Sequence, residues 1–248
     1  MEENENVIIG RNPVIELLKS GRDIDKIFIT KGDHEGSIKL IIAKAKKRNI
    51  PVLEVEKAKL NSLSAGAAHQ GVAAITADIV YADVDDLLLN AELKGGKPLI
   101  IIADGIEDPH NLGAVIRTAE CAGAHGLIIP KRHSSGITQV VSKASAGALE
   151  YLPVAKVSNL SQTVNYLKEK GFWIFAAETG GQDYTTCDYK VPMALVLGGE
   201  GTGISRLLRE NCDYTVTVPI YGKVNSLNVS NAAAVILYEI ARQRRNIN

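Results

Sequence analysis

Three short polar stretches of this 248-residue chain carry the side chains best suited to chemistry. "DPHNLGAVIR" sets an amide, Asn111, and a guanidinium, Arg117, in one helical pattern. Gly113 stands four residues before Arg117 and so shares its helix face, leaving a gap that a large ligand or a second chain could fill. "GGEGTG" surrounds a single carboxylate, Glu200, with backbone nearly free of side chains. "NSLNVSN" gathers Ser226, Asn228, Ser230 and Asn231 just before the apolar stripe "AAAVILYEI". Each stretch also has a simpler reading: Arg117 in a surface ion pair, the glycines in a tight turn, Ser226 as a helix cap with Asn228 in the first turn. Capping accounts for one polar residue at a helix start, not for four.

The glycines invite a phosphate-loop reading, which their spacing excludes. There is no G-x-G-x-x-G register, and Ile204-Ser205 stands where a Walker loop needs Lys followed by Ser or Thr. Neither ATP nor a dinucleotide is supported. What remains is bare peptide backbone around one acid.

The elements that must position these groups alternate. "NPVIELLKSG" reads as a helix, "DKIFIT" as a strand, "EGSIKLIIAKAKKRN" as an amphipathic helix, "PVLEV" as a strand, "EKAKLNSLS" as a short helix and "GVAAITADIV" as a strand. This predicts a small α/β domain over residues 1–78. A charged helix ending at Gly95-Gly96 reads as a linker over 79–96. From 97 to 248 the alternation resumes with short, wholly apolar strands such as "PLIIIADG", "GLIIP" and "MALVLGGE", which predicts an α/β domain on a mostly parallel sheet. One of its helices should run from about Pro109 to Ala122, with Asp108 as N-cap and Gly123 as the stop. Ligands of such sheets bind at the carboxyl ends of the strands, where the three polar stretches fall.

Composition narrows the rest. Lys and Arg number 28, as do Asp and Glu, so any basic surface must be local. Between Arg11 and Lys59 the chain has 12 basic and 7 acidic residues, with "KAKKR" clustered on one helix, a candidate phosphate-contacting patch. Lys131, Arg132 and His133 offer a second. The three cysteines are scattered and form no C-x-x-C pair, and the histidines are scattered too; no metal site is expected. No apolar run reaches the roughly 18–20 residues of a membrane span, and "MEENENVIIG" is unlike a secretory signal. A cytoplasmic location is expected.

Together, and in this order, "NLGAVIR", "GGEGTG" and "SLNVS" resemble the three motifs of the SpoU (TrmH-type) ribose 2′-O-methyltransferases of the SPOUT superfamily. The resemblance extends over the whole chain, through "DPHNLG" and "KASAGA", and is greatest to the RlmB-like rRNA guanosine methyltransferases. It implies a C-terminal trefoil-knotted methyltransferase domain preceded by a small RNA-binding domain related to kink-turn-binding ribosomal proteins. It further implies S-adenosylmethionine as cofactor, held near Gly198, Val218 and Leu227, and catalysis by Asn111, Arg117, Glu200, Ser226 and Asn228. On this resemblance Arg117 fixes a phosphate and stabilises the developing oxyanion, Asn111 and Glu200 orient it, and Ser226 and Asn228 hold the ribose and the knot. A homodimer follows, in which arginine from one chain can serve the other's site. Asn225 and Asn231 depart from the expected small hydroxyl and aliphatic residue, which touches substrate detail rather than activity. The expected substrate is rRNA; tRNA and a non-catalytic RNA-binding or assembly role are the alternatives.

Overall fold

A computed structural model describes residues 6–20, 24–32, 35–76 and 81–245. The chain forms two compact units.

The first unit is a four-stranded mixed sheet in the order β1-β4-β2-β3: β1 Asn6–Ile9, β2 Ile24–Thr30, β3 Val52–Val55 and β4 Val72–Thr76. Strand β4 runs antiparallel to β1 and β2, and β3 pairs parallel with β2. Side chains alternate between two buried faces, as the period of two requires. Ile8, Ile27, Ile29, Val72 and Ala74 pack with α1 (Arg11–Ser20) and α2 (Ser37–Lys47). Val7, Ile9, Phe28, Ala73 and Ile75 pack with Leu60 of α3 (Lys57–Leu63). Strand β1 is missing from the sequence reading, because three apolar residues, Val7, Ile8 and Ile9, after an acidic start resemble a loose terminus. The last residues of "GVAAITADIV", with the expected boundary at Asp78, lie outside the described residues. In "KAKKR", Lys46 and Lys47 are exposed, but Arg48 donates to the carbonyls of Leu17 and Leu18 at the end of α1.

The second unit is a six-stranded sheet, parallel throughout. Its order is β10-β8-β9-β5-β6-β7: β5 Leu99–Asp104, β6 Gly126–Pro130, β7 Val154–Val157, β8 Trp173–Asp183, β9 Met193–Gly198 and β10 Tyr214–Thr217. The central strands β5 and β9 are buried over five successive residues, which explains their unbroken aliphatic runs. Ile100, Ile102, Ala194 and Val196 face a core closed by α4 (Val84–Lys94), α7 (Leu160–Glu169) and the short α8 (Arg206–Glu210). Two further helices, α5 (Pro109–Cys121) and α9 (Val229–Arg244), pack on each other, and α9 also packs on β9. The far end of α9 is pinned by Arg244, whose guanidinium donates to the carbonyls of Lys97 (2.7 Å), Val191 (2.7 Å) and Tyr189 (2.9 Å). Burial lowers this guanidinium to about 10, and the carbonyls offset the lost hydration.

The units are not the continuous stretches that the alternation of elements suggests. Ile137–Tyr151 belongs with the first unit: Tyr151 donates to Glu16 at 2.7 Å and Ser20 to Glu150 at 3.1 Å. The expected helix over "ITQVVSKASAGAL" is a short one, α6 (Gln139–Ala144), followed by a 3₁₀ turn at Ala148–Glu150. Helix α4 belongs with the second unit instead of bridging the two. Its start is locked by a capping box between Asp83 and Asp86, and Leu87 is fully buried. A side chain at Gly126 would strike Leu87 at 2.8 Å.

His125, at the foot of β6, accepts the Leu99 N–H through Nδ1 at 3.0 Å. Burial holds its pKa below the ordinary value, aided by the charges of Lys94 and Arg244. Folding therefore favours the neutral ring. The stability this contributes is present above the unfolded pKa of about 6.5 and is lost as pH falls through the folded value. Thermal denaturation between about pH 8 and about pH 5 should show the melting temperature falling towards acid, with a shallower fall in His125→Asn. Equal slopes in the two proteins would place the acid sensitivity elsewhere, His69 being the other buried histidine whose pKa is held down.

Candidate active site

Helix α5 begins where β5 ends. Asp108 caps it by accepting the His110 N–H at 2.7 Å, and Pro109 occupies the first turn, a position that needs no N–H donor. Asn111 follows in that same turn. Helix α9 begins at Val229 with Asn228 as its cap, not Ser226. Asn228 Oδ1 accepts from Ser230 N at 2.9 Å and from Ser230 Oγ at 2.6 Å. The physical reason favours the amide: it caps with its oxygen and still has an NH₂ to donate, which a serine lacks.

Those donors meet at Glu200. Its Oε1 accepts from Asn111 Nδ2 at 2.7 Å and from Asn228 Nδ2 at 2.7 Å, while Asn228 Nδ2 also lies 3.0 Å from Asn111 Oδ1. The three residues form a closed triangle at the starts of two helices. Hydrogen bonds to a carboxylate are among the stronger ones, and a negative charge is favoured at helix N-termini.

Glu200 sits in the glycine loop after β9, which folds back on itself: Gly203 N donates to Gly199 O at 3.0 Å, and Gly199 N donates to Asp104 O at 2.7 Å. A side chain at Gly199 would meet the Gly105 carbonyl oxygen at 1.9 Å, and one at Gly198 would meet the Gly203 carbonyl carbon at 2.3 Å. Only glycine permits this close approach.

Two cavities flank the loop. The first, about 570 Å³, has aliphatic walls from Leu197, Val218, Leu227 and Ile236 and two carboxylates, Glu178 and Glu200. Apolar walls, exposed peptide groups and acids suit a ligand with a flat heterocycle and a positive charge. The second, about 530 Å³, is lined by Asp104, Glu107, Asn111, His133 and Ser205, and shares Glu200, Thr202 and Gly203 with the first. Among the described residues no cluster of His, Cys, Asp and Glu could hold a metal ion.

The structure thus brings Gly198, Val218, Leu227, Glu200, Ser226 and Asn228 to one cavity, and Asn111 to the other. Arg117 lines neither cavity; it is exposed and makes no hydrogen bond or ion pair with another described residue. Six residues of α-helix turn it about 120° from Asn111 and carry it about 9 Å along the axis. Asn111 and Glu200 accordingly bond to each other and to Asn228, and neither bonds to Arg117 of the same chain. Gly113 is buried in α5. Sequence reasoning misses Glu178, which pairs with Arg209 at 3.2 Å, and Asp104, which accepts the Ser205 N–H at 2.8 Å. Both were findable, since they end the apolar runs of β8 and β5 where ligands of parallel sheets bind.

A wholly parallel sheet with its cavities at the strand carboxyl ends, bounded there by the start of the last helix, defines a ligand-binding α/β domain. Residues 98–238 match the SpoU rRNA Methylase family, and residues 7–82 match a domain described as RNA 2′-O ribose methyltransferase substrate binding. A Bacillus subtilis protein bearing the name of a TrmH family tRNA/rRNA methyltransferase, YacO, is 43% identical over 100% of this chain and 99% of its own. The AdoMet-bound rRNA methyltransferase from Sinorhizobium meliloti superposes with a TM-score of 0.80 at 25% identity, over 98% of this chain and 88% of that one. The SpoU methyltransferase AviRb from Streptomyces viridochromogenes, in complex with AdoMet, shares the fold with a TM-score of 0.80 at 24% identity, over 96% and 90%. The chain belongs to the SpoU (TrmH-type) family of RNA methyltransferases.

Asn228 allows capping to be separated from bonding to Glu200. Asn228→Asp keeps a good N-cap but loses both donated bonds and sets a second carboxylate beside the first. It should lose about 1.5–3 kcal/mol in urea unfolding. A variant as stable as the parent would show that the triangle contributes nothing to the fold.

Proposed function

We propose that the chain transfers a methyl group from S-adenosylmethionine to a ribose 2′-hydroxyl of RNA, with a guanosine of large-subunit rRNA as the target. The observation carrying this reading is that two cavities of nucleotide-accommodating size meet at one wall, the Glu200 loop. The first cavity fits the cofactor: aliphatic Leu227 and Val218 beside the bare backbone of Gly198 suit adenine, and the carboxylates of Glu178 and Glu200 suit a sulfonium and an ammonium. Bound there, S-adenosylmethionine supplies an electrophilic methyl group. The name of the N-terminal match supports RNA as substrate and the ribose 2′-oxygen as acceptor. The descriptions of the family and of the Sinorhizobium relative favour rRNA over tRNA.

In this reading the chain's own residues act mainly by positioning. A neutral 2′-hydroxyl is a weak nucleophile that must lose its proton during transfer, so alignment carries much of the rate. Asn111, Glu200 and Asn228 form a rigid floor between the two ligands, and Ser226 reaches the same cavity from the loop before α9. Arg117 acts as a fixed cation that grips the adjoining phosphate and stabilises negative charge developing on oxygen. Its position outside both cavities supports a homodimer in which the arginine of one protomer serves the site of its partner. The trefoil knot belongs to the same proposal, with α9 the threaded segment.

Purified protein should label the ribose 2′-oxygen of unmodified large-subunit rRNA from methyl-labelled S-adenosylmethionine. Arg117→Ala should slow this by about 100- to 1000-fold while calorimetry finds the cofactor affinity nearly unchanged. Label confined to tRNA would overturn the rRNA assignment. Loss of cofactor binding in Arg117→Ala would make Arg117 part of the fold.

A further inference from the structure

The second cavity holds more acceptors than a phosphate-binding site would tolerate. Its walls are the loop after β5, the segment at His133 and the glycine loop. They are tied together by Ser135 N to Ile106 O at 2.9 Å and by Ser205 N to Asp104 Oδ2 at 2.8 Å. No lysine or arginine lines it, whereas Asp104, Glu107, Asp108 and Glu200 all do. Three of these four carboxylates are engaged: Asp104 with Ser205 N, Asp108 with His110 N, and Glu200 with the two asparagine amides. Glu107 makes no hydrogen bond with a described residue. Its side chain is 71% exposed, and the still more open His133 ring lies 4.0 Å away.

We propose that this cavity receives the target base, flipped out of the RNA, and that Glu107 determines its identity as guanine. The proposal rests on the methyl-transfer reading above and adds the chemistry by which the acceptor nucleotide is chosen. A cavity of about 530 Å³ lies in the usual range for a small-molecule site. It adjoins the cofactor cavity through Glu200, Thr202 and Gly203, so a nucleotide seated in it carries its ribose towards the wall that the two ligands share. A base can enter only after leaving the stack. A carboxylate only accepts hydrogen bonds. Guanine presents two adjacent N–H donors, at N1 and at the exocyclic N2, which match its two oxygens; uracil, adenine and cytosine offer no such adjacent pair on their pairing edge. Glu107 is therefore a specificity-determining residue, distinct from the triangle that holds the floor of the site.

The test uses the full chain saturated with S-adenosylhomocysteine and titrated by NMR with GMP and with IMP, which lacks only the exocyclic amino group. GMP should shift the resonances of Gly105, Thr202 and His133 and bind about 10-fold more tightly than IMP. Glu107→Gln should bring GMP down to the affinity of IMP without altering affinity for S-adenosylhomocysteine. Equal binding of the two nucleotides, no binding of GMP up to about millimolar concentration, or a GMP preference that survives both Glu107→Gln and Glu107→Ala would overturn the proposal. Failure of the chain to bind S-adenosylmethionine would instead sink the methyl-transfer reading, and the two failures are read from separate titrations.

Discussion

One carboxylate joins the beginnings of two helices. Glu200 accepts the amides of Asn111 and Asn228, residues 89 and 28 positions away, and those two amides meet each other across 117. A helix start leaves N–H groups without partners and carries partial positive charge. Setting two such starts side by side is unfavourable unless something negative lies between them. Glu200 fills that place, and α5 and α9 can then pack along their lengths. The same carboxylate forms the wall between the two cavities, so fold and site depend on one group.

The glycine loop is the price of that arrangement. To bring Glu200 between the helices, the backbone at Gly198 and Gly199 passes within van der Waals range of Gly203 and Gly105, where no side chain fits. The bonds from Gly199 N to Asp104 O and from Ser205 N to Asp104 Oδ2 then fasten the loop to the end of β5. At the opposite end of α9, Arg244 fastens the helix to the chain entering β5 and β9 through backbone carbonyls alone. The last helix is thus held at both ends by polar contacts and along its middle by Ala233, Ile236, Leu237 and Ile240.

Much of this is legible in the sequence, and the misses share a cause. Asp108 and Pro109 mark the start of α5 because a cap and a proline obey local rules. Aliphatic runs mark β5, β6 and β9 because both faces of a parallel sheet are buried. The three polar stretches point to one place because strand carboxyl ends gather ligands. Choosing Asn228 over Ser226 as the cap of α9 requires knowing that Glu200 lies opposite, a tertiary fact with no local signature. The resemblance sets Asn111 and Arg117 to work together, but within one chain helical geometry turns the two side chains apart, which a motif read as letters does not display. The attachment of Ile137–Tyr151 to the first unit depends on Glu16 and Ser20, which are more than a hundred residues away. Local patterns cannot carry such information.

The central claim is that Asn111 and Asn228 act through one carboxylate and not as two independent helix-start residues. A double-mutant cycle of Asn111→Ala and Asn228→Ala, read by urea unfolding of the full chain, measures this directly. Coupling of about 0.5–3 kcal/mol is predicted, because after either amide is removed the second has less left to hold. Effects that add to within about 0.3–0.5 kcal/mol would contradict it.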